Sequence, residues 1–319
     1  MALSLPDALV LLGRRLQESS YRFTTVTPAS HARVHAREGS RRAANLRDVF
    51  GWSRSFSASL LSVDVLATLR ESGLLDESGE LLRSKVRFST LDGQLYAHSA
   101  YPTFEDDAVF FGPDTYRFAS FIHAELARQP LPPGPRILDM GCGAGPGGVS
   151  AALASQALQP ELLLADINPK ALEFARANAA LAGLRGAQFQ QSDLFASIEG
   201  EFDLVVANPP YLVDASERTY RHGGGLLGSR LSLRIVRESL TRLAPGGRLL
   251  LYTGAPIVYG EDPFHHDVAP LLHQAGCAFS YREIDPDVFG EELETPAYAS
   301  ADRIAAVGLV VFQADRPGP

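Results

Sequence analysis

The sequence feature that most restricts the fold is a six-residue apolar run that two consecutive prolines bring to an end. Residues 202–207 are followed by Asn208, Pro209, Pro210 and Tyr211. A short apolar run of this kind predicts a buried parallel strand. The prolines remove two backbone donors and fix two φ angles, so the chain must leave the sheet in a stiff turn. An amide and an aromatic ring are therefore expected just past the carboxyl end of a strand, where ligands bind in open α/β sheets.

The residues of this turn are suited to binding a planar amino group. The carboxamide oxygen of Asn208 and the backbone carbonyl of Pro209 can accept both hydrogens of one –NH2 group. The ring of Tyr211 can stack on the flat group that carries that nitrogen. A proline-stopped strand followed by an ordinary loop is the simpler alternative, and other parts of the chain decide between the two interpretations.

Strand-like and helical patterns alternate in the carboxyl-terminal two thirds of the chain. Such alternation predicts a mostly parallel sheet with helices on both faces, which is an α/β fold with a doubly wound sheet. We expect strands at 136–139, 161–166, 187–191, 202–207, 248–252, 277–283 and 304–313, and helices at 147–157, 169–182, 228–243 and 263–275.

The first hundred residues carry a different pattern. Leucines at helical spacing predict helices over 2–20 and 58–75, and Asp92-Gly93 between two alternating runs predicts a hairpin of strands 85–90 and 94–99. Helices followed by a hairpin are typical of a small α+β, winged-helix-like module. A chain of 319 residues has room for two domains. We therefore expect a substrate-recognition domain at 1–105 and a second domain at 106–319.

Residues 21–55 are rich in arginine, although the protein as a whole carries a net charge of −8. A solvated basic surface is the favoured interpretation, because runs of charge are usually exposed faces. The alternative is a docking surface for RNA or for an acidic protein partner. The arginines are Arg22, Arg33, Arg37, Arg41, Arg42, Arg47 and Arg54.

Cysteine content and hydropathy restrict the cellular setting. The only two cysteines, Cys142 and Cys277, are far apart, which argues against a disulfide scaffold or a structural zinc site and fits a reducing cytosol. No apolar run approaches the roughly 18 to 20 residues of a membrane span, and no basic segment precedes an apolar one at the amino terminus. We expect a cytoplasmic protein without a membrane span or a secretory signal.

A glycine-rich turn follows the first predicted strand of the second domain. Asp139 ends that strand, and Gly141, Gly143 and Gly145 follow at alternate positions, which permits a tight turn and the close approach of a ligand. Pro146 stands where a dinucleotide-binding loop needs its third glycine, so the pattern is only G-x-G-x-G. Further acids stand at the next two strand ends: Asp166 before Ile167, and Asp193 before Leu194.

The glycine turn, the two acids and the Asn-Pro-Pro-Tyr turn stand in the order seen in class I S-adenosylmethionine-dependent methyltransferases, which residues 110–314 resemble. The resemblance implies a Rossmann-like seven-stranded sheet whose last strand, 304–313, is antiparallel. It implies that S-adenosyl-L-methionine is the cofactor. It also implies that Asp166 holds the ribose hydroxyls and that Asp193 and Leu194 hold the adenine. The cofactor-binding residues implied in this way are Thr115, Asp139, Gly141, Gly143, Gly145, Asp166, Ile167, Asp193, Leu194 and Asn208.

Within that superfamily the Asn-Pro-Pro-Tyr turn resembles the enzymes that methylate planar amino groups. These include the release-factor glutamine methyltransferases and the adenine amino methyltransferases. Residues 111–116 resemble the pre-motif of the former, and residues 223–228 resemble their glycine-rich segment. The chain departs from them at Tyr116, where a glutamate is usual, in strand 250–254, which lacks an acid, and in an acidic segment at 285–303.

The resemblance implies N-methylation, with a protein glutamine side chain as the first candidate acceptor and Asn208 to Tyr211 as the catalytic clamp. An adenine amino group in RNA or DNA, a small molecule and a peptide are the alternatives. A cofactor-binding subunit that has lost catalysis is an alternative of a different class. The intact clamp argues against that last alternative.

Overall fold

The amino-terminal region consists of four helices and two small antiparallel pairs of strands in the computed structural model, which describes residues 3–103, 105–213, 221–225 and 227–313. Each helix begins at a side chain that accepts a backbone N–H, the usual arrangement of an N-cap. The strands pair as β1 with β2 and β3 with β4. The elements are α1 (Leu5–Glu18), α2 (Pro28–His35), α3 (Leu46–Phe50), α4 (Val63–Glu71), β1 (Leu75–Asp76), β2 (Arg83–Ser84), β3 (Val86–Leu91) and β4 (Gln94–Ser99).

The predicted helix over 58–75 is too long. The structure has a 3-10 turn at Ala58–Leu60, and α4 begins only after Ser62, whose hydroxyl accepts the N–H of Val65. The first predicted helix and the hairpin are present: the ends of the helix are shifted by two or three residues, those of β3 by one, and those of β4 agree with the prediction. The winged-helix comparison and the domain boundary after residue 105 stay predictions.

The remaining elements form a seven-stranded sheet between helices. The helices are α5 (Pro113–Arg128), α6 (Pro146–Ala154), α7 (Pro169–Leu181), α8 (Arg230–Ser239) and α9 (Pro263–Gln274). The strands are β5 (Arg136–Met140), β6 (Glu161–Asp166), β7 (Gln188–Gln191), β8 (Phe202–Ala207), β9 (Leu243–Val258), β10 (Ala278–Asp285) and β11 (Ala301–Phe312).

The strand order is β10-β11-β9-β8-β5-β6-β7. The chain enters at β5, continues to β7 at one edge, and then crosses back to β8 on the other side of β5. Strand β11 runs antiparallel to both of its neighbours, β9 and β10, and all other pairings in this sheet are parallel. The predicted fold class, a mostly parallel doubly wound sheet with an antiparallel last strand, is confirmed. The point where the strand order reverses lies between β5 and β8, which is where such folds place their ligands.

Two predicted boundaries next to strand β9 are wrong. Helix α8 ends at Ser239 rather than at residue 243, and β9 begins at Leu243 rather than at residue 248. Leu243 pairs with Phe202 of β8, and the register shifts just after that pair. A Cβ atom on Gly247 would lie 2.7 Å from the carbonyl oxygen of Phe202, so the glycine permits this close pairing. Pairing with β8, rather than the local pattern, decides where the strand begins.

Apolar side chains cover both faces of the sheet. Phe118 of α5 and Ala151 of α6 belong to the core on one face, and Ile235 of α8 and Val268 of α9 belong to the core on the other.

The predicted helix over 147–157 is shorter than expected, because α6 ends at Ala154 and a 3-10 turn follows. No helix among the described residues is long and apolar enough to cross a membrane.

The amino-terminal region packs on α7 and shares a core with it. Leu12 of α1 and Phe174 of α7 lie in the same buried cluster. Asn178 of α7 is fully buried and exchanges hydrogen bonds with both backbone groups of Ala97 in β4, at 2.7 and 2.9 Å. Its amide also donates to the carbonyl of Ala144 in the glycine turn, at 2.8 Å. One buried side chain thus joins the amino-terminal hairpin to the glycine turn.

We expect Asn178→Ala to lower the free energy of unfolding by about 2–4 kcal/mol, because it leaves three buried backbone groups without partners. Urea denaturation followed by circular dichroism measures the change. Asn45→Ala is the matched control, since Asn45 caps an exposed helix end and its loss costs about 1 kcal/mol. Equal losses in the two variants would contradict a special contribution from Asn178.

Candidate active site

A cavity of about 350 Å³ opens at the carboxyl ends of the parallel strands. Its walls come from the segments that follow β5, β6, β7 and β8, so it lies at the point where the strand order reverses. This volume falls in the range of small-molecule sites, which are concave and mostly apolar.

The structure brings nearly all of the predicted site residues to this one cavity. Gly145 is the exception: a Cβ atom there would lie 2.9 Å from the Leu164 side chain and 3.3 Å from that of Ala175, so it packs behind the turn. The predicted residues that line the cavity are Thr115, Asp139, Gly141, Gly143, Asp166, Ile167, Asp193, Leu194, Asn208, Pro209, Pro210 and Tyr211.

The glycine turn is held by a buried carboxylate. Gly141 and Gly143 have φ angles of +69° and +53°, in the left-handed region that favours glycine. Asp139 is 2% exposed and accepts a hydrogen bond of 2.6 Å from the N–H of Gly148 at the start of α6. Burial raises the pKa of Asp139 to about 7, because a charged carboxylate is poorly solvated there. A positively charged ligand beside Asp139 would therefore favour the ionised form of its carboxyl group.

Asp166, at the end of the neighbouring strand β6, also binds the backbone of the glycine turn. Its two carboxylate oxygens accept from the N–H groups of Gly143 and Asn168, each at 2.8 Å. Burial raises the pKa of this carboxyl as well. Each oxygen has a further lone pair with which to accept a hydrogen bond from a ligand hydroxyl. Next to Asp166, the side chain of Ile167 is 51% exposed and lines the cavity, so it offers apolar surface to a ligand.

The third strand end is more open. The Asp193 side chain is 61% exposed and lies 3.7 Å from the Arg234 guanidinium of α8. Leu194 is buried and takes a φ angle of +46°. The exposed carboxylate and the buried side chain beside it form a polar and an apolar part of the same wall.

The amide of Asn208 faces the cavity without a hydrogen-bond partner in the part of the chain that the structure describes. Glycines pack against the turn that carries it. A Cβ atom on Gly223 would lie 2.7 Å from the carbonyl oxygen of Pro210, and one on Gly228 would lie 2.0 Å from that of Tyr211. The predicted glycine-rich segment 223–228 thus supports the Asn-Pro-Pro-Tyr turn, although its residue 226 lies outside the described residues.

Asp114 lies within the segment 111–116 that resembles the pre-motif, but sequence reasoning did not predict the contacts of this side chain. Its buried carboxylate accepts from the Tyr211 hydroxyl at 2.6 Å, from the Tyr252 hydroxyl of β9 at 2.8 Å, and from Arg117 at 3.2 Å. Burial raises its pKa. Asp114 and Tyr211 are 97 residues apart, so no local pattern could pair them. The N-cap of α5 is Gly112, and the hydroxyl of Thr115, in the first turn of the helix, accepts the N–H of Gly112.

The acidic segment 285–303 contributes one residue, Phe289, to the lining of the cavity. It contains two 3-10 turns, Gly290–Glu294 and Pro296–Tyr298. The Tyr298 hydroxyl accepts the N–H of Val213, just after the Asn-Pro-Pro-Tyr turn, at 2.9 Å. The Phe289 ring lies edge-on to that of Tyr211, with 5.8 Å between ring centroids. Cavity-lining residues that sequence reasoning did not select include Phe110, Phe118, Arg221, His222 and Phe289.

Comparison with known proteins agrees with this geometry. Residues 119–261 match the family model of the methyltransferase small domain. The chain is 31% identical over 226 residues to the release factor glutamine methyltransferase of Deinococcus radiodurans, a match that covers 68% of this chain and 76% of that protein. The chain therefore belongs to this methyltransferase family and is an enzyme of the transferase class.

Two further relatives show how far the similarity reaches. The ribosomal RNA small subunit methyltransferase C of Salmonella arizonae is 33% identical over 153 residues, which cover 47% of this chain and only 40% of that protein. A solved structure from Pyrococcus horikoshii, described as a transferase, superposes with a TM-score of 0.50 at 14% identity. It covers 79% of this chain and 82% of its own, and it supports the fold alone.

Asp139 should make stability depend on pH. Because its pKa is about 7 in the folded protein and about 4 in an unfolded chain, the folded state holds the proton more tightly and stability falls as the pH rises through that range. We expect Asp139→Asn to become more stable relative to wild type by roughly 2–4 kcal/mol between pH 4 and pH 7. Parallel urea curves at several pH values measure this, with exposed Asp64→Asn as control. A constant difference between the wild-type and Asp139→Asn curves would contradict the assignment.

Proposed function

We propose that the protein transfers a methyl group from S-adenosyl-L-methionine to a planar amide or amino nitrogen, with a glutamine side chain of a protein as the best candidate. The observation that carries this proposal is that Asn208, whose amide has no hydrogen-bond partner among the described residues, lines the same cavity as the glycine turn. The release factor glutamine methyltransferase relative supports the choice of glutamine.

The residues around the cavity fit this cofactor. The oxygens of Asp166 are suited to accepting from the ribose hydroxyls, and Ile167 and Leu194 offer apolar surface for the adenine. The carboxylate of Asp139 is suited to the positively charged end, because a cation beside it would favour its ionised form. When bound, S-adenosyl-L-methionine supplies a methyl group on a sulfonium, whose sulfur leaves with the electron pair of the broken bond.

The task of the chain's own residues is to align the acceptor. We propose that the Asn208 side-chain oxygen and the Pro209 carbonyl each accept one hydrogen of the acceptor –NH2 group. Fixing the nitrogen in this way favours the geometry of attack, and orientation of this kind accounts for much of the barrier. No strong base is needed, since the nitrogen becomes acidic as it is alkylated and gives its proton to water.

An adenine amino group in RNA is the second candidate acceptor. The ribosomal RNA methyltransferase relative supports RNA as the substrate, as does an open groove in the amino-terminal region. Arg22 and Arg47 line this groove beside Tyr21, and no acidic side chain does so among the described residues. We propose that residues 1–105 select the substrate and that the protein acts in the cytoplasm, where its two separated cysteines stay reduced.

The acceptor class can be tested with radiolabelled S-adenosyl-L-methionine and cell extract, treated separately with protease and nuclease. We expect wild type to label a protease-sensitive product and Asn208→Ala to label nothing, while the variant binds S-adenosylhomocysteine within a few-fold of wild type. A nuclease-sensitive product whose formation falls steeply with salt would instead identify RNA. Near-wild-type turnover by Asn208→Ala would remove the clamp from the mechanism.

Asp166 should act on cofactor binding instead. Asp166→Ala removes an acceptor for the ribose hydroxyls and for two backbone N–H groups, so we expect the Kd for S-adenosylhomocysteine to rise roughly 10- to 100-fold. Isothermal titration calorimetry measures this. Asp203→Ala is a matched control, because Asp203 also accepts a backbone N–H in the sheet but does not line the cavity. An unchanged Kd for Asp166→Ala would refute the role.

A further inference from the structure

We propose that the groove in the amino-terminal region binds the phosphate backbone of single-stranded RNA, and that three arginines, Arg22, Arg47 and Arg87, supply the charge for it. This inference goes beyond the proposed function, because an RNA held in the groove need not be the molecule that is methylated. It makes RNA a partner of the protein even where the acceptor is a glutamine side chain.

The groove is a large surface feature with polar and aromatic walls. Its volume of about 790 Å³ is more than twice the 350 Å³ of the cavity at the sheet. Two arginines, several hydroxyl-bearing side chains and the rings of Tyr21 and Phe23 line it, and none of its described lining residues is acidic. A feature of this size and openness suits a chain that passes along it better than an enclosed small molecule.

Two of the three arginines are exposed on the walls of the groove. Arg22 and Arg47 form no hydrogen bond or ion pair with any described residue. The acids nearest to them in the sequence, Glu18 and Asp48, are each paired with a different arginine, at 3.2 and 2.7 Å. The guanidinium groups of Arg22 and Arg47 are therefore available to phosphate oxygens, which a guanidinium can bind through two parallel hydrogen bonds.

The third arginine is buried and adds an independent observation. Arg87 of β3 is 4% exposed, yet it pairs with no carboxylate in the part of the chain that the structure describes. Its Nε donates to the Gly51 carbonyl at 2.8 Å, and its buried Nη2 has no hydrogen-bond partner there. Burial lowers the pKa of Arg87 to about 10, so the side chain is still charged at neutral pH. An unpaired buried charge is costly, and an anion bound nearby would offset that cost.

The ring of Phe23 lies between Arg87 and the groove. The guanidinium carbon of Arg87 lies 5.3 Å from the centroid of this ring, and that of Arg47 lies 5.8 Å from the same centroid. Phe23 itself lines the groove. Because charges are weakly screened inside a protein, Arg87 adds to the positive potential of the groove although it does not line it. Three guanidinium groups thus act on one stretch of surface.

The other groups of the groove favour RNA over an acidic protein segment. Tyr21 is half-buried, and its hydroxyl donates to the Phe88 carbonyl at 2.9 Å, which fixes its ring in the groove wall. A fixed aromatic ring can stack on an unpaired base. The hydroxyls of Ser20 and Thr24 and the side-chain amide of Asn45 can donate to phosphate or ribose oxygens. An acidic peptide could use the arginines, but it has no flat base to place on Tyr21.

The groove is joined to the start of α5, which carries cavity residues. The N–H of Thr25 donates to the Tyr116 hydroxyl at 3.0 Å, and Thr24, next to it, lines the groove. Tyr116 directly follows Asp114 and Thr115, which line the cavity. An RNA bound in the groove would thereby hold the cavity close to what that RNA carries, including a protein bound to the same RNA.

Fluorescence anisotropy tests the proposal on the full-length protein, with a labelled single-stranded RNA of about 12 nucleotides as the probe. We expect the double variant Arg22→Gln, Arg47→Gln to raise the Kd for this RNA roughly 10- to 100-fold. The slope of log K against log salt should become shallower by about 1.4, because each contact with a single-strand phosphate contributes about 0.7. Tyr21→Leu should raise the Kd roughly 3- to 10-fold without changing that slope, and Tyr21→Phe should stay within about threefold of wild type.

Arg87→Met tests the buried charge. We expect it to raise the Kd for the RNA roughly 2- to 10-fold while the thermal midpoint stays the same or rises, because the substitution removes an unpaired buried charge. A lower thermal midpoint with an unchanged Kd would show that Arg87 serves the fold alone, and would overturn its part in the site.

The matched control is the double variant Arg185→Gln, Arg237→Gln, which loses the same charge from exposed positions outside the groove. Every variant should keep its Kd for S-adenosylhomocysteine, so RNA binding and methyl transfer are measured separately and can fail separately. Wild-type affinity for RNA in the Arg22, Arg47 double variant would overturn the proposal, as would an equal loss in the control. A labelled polyglutamate peptide that binds more tightly than the RNA, through the same arginines, would overturn it in favour of an acidic protein.

Discussion

The buried carboxylate of Asp114 is the interaction on which the acceptor side of the cavity depends. It lies at the start of α5 and takes hydrogen bonds from Tyr211 in the Asn-Pro-Pro-Tyr turn and from Tyr252 in β9. Burying a carboxylate is costly unless its oxygens are satisfied, and here two hydroxyls and a guanidinium do so. If one of these partners is removed, the buried carboxylate of Asp114 loses a hydrogen bond, and burying it costs more free energy. The turn is therefore held both by its own prolines and by side chains from distant elements.

The cofactor side is organised by a different pair of carboxylates. Asp139 and Asp166 accept backbone N–H groups from the glycine turn and its neighbours, so they shape the turn before any ligand arrives. Burial raises the pKa of both groups, because their ionised forms are poorly solvated in the cavity wall. A ligand that brings positive charge and hydroxyl donors would relieve that penalty. This electrostatic property agrees with the proposed cofactor.

Between the two sides, Asn178 joins the glycine turn to the amino-terminal hairpin. The region proposed to select substrates is thereby joined to the turn that lines the cavity. The acidic segment 285–303 plays the corresponding part on the opposite wall, through Tyr298, Phe289 and the ion pair of Asp285 with Arg117. Both segments had sequence patterns that gave no direct sign of these contacts.

The sequence by itself determined the sheet, its helices and most of the cavity wall. These follow from period, proline and glycine, which act over a few residues, and so the bounds of β6 and β8 agree with the prediction. Only the tertiary structure decided the start of β9 at Leu243, the position of Gly145 behind the turn, and the bond between Asp114 and Tyr211. The physical reason is the distance along the sequence between the residues that interact. Pairing across a sheet and the burial of a carboxylate depend on residues tens of positions apart, which no local pattern encodes.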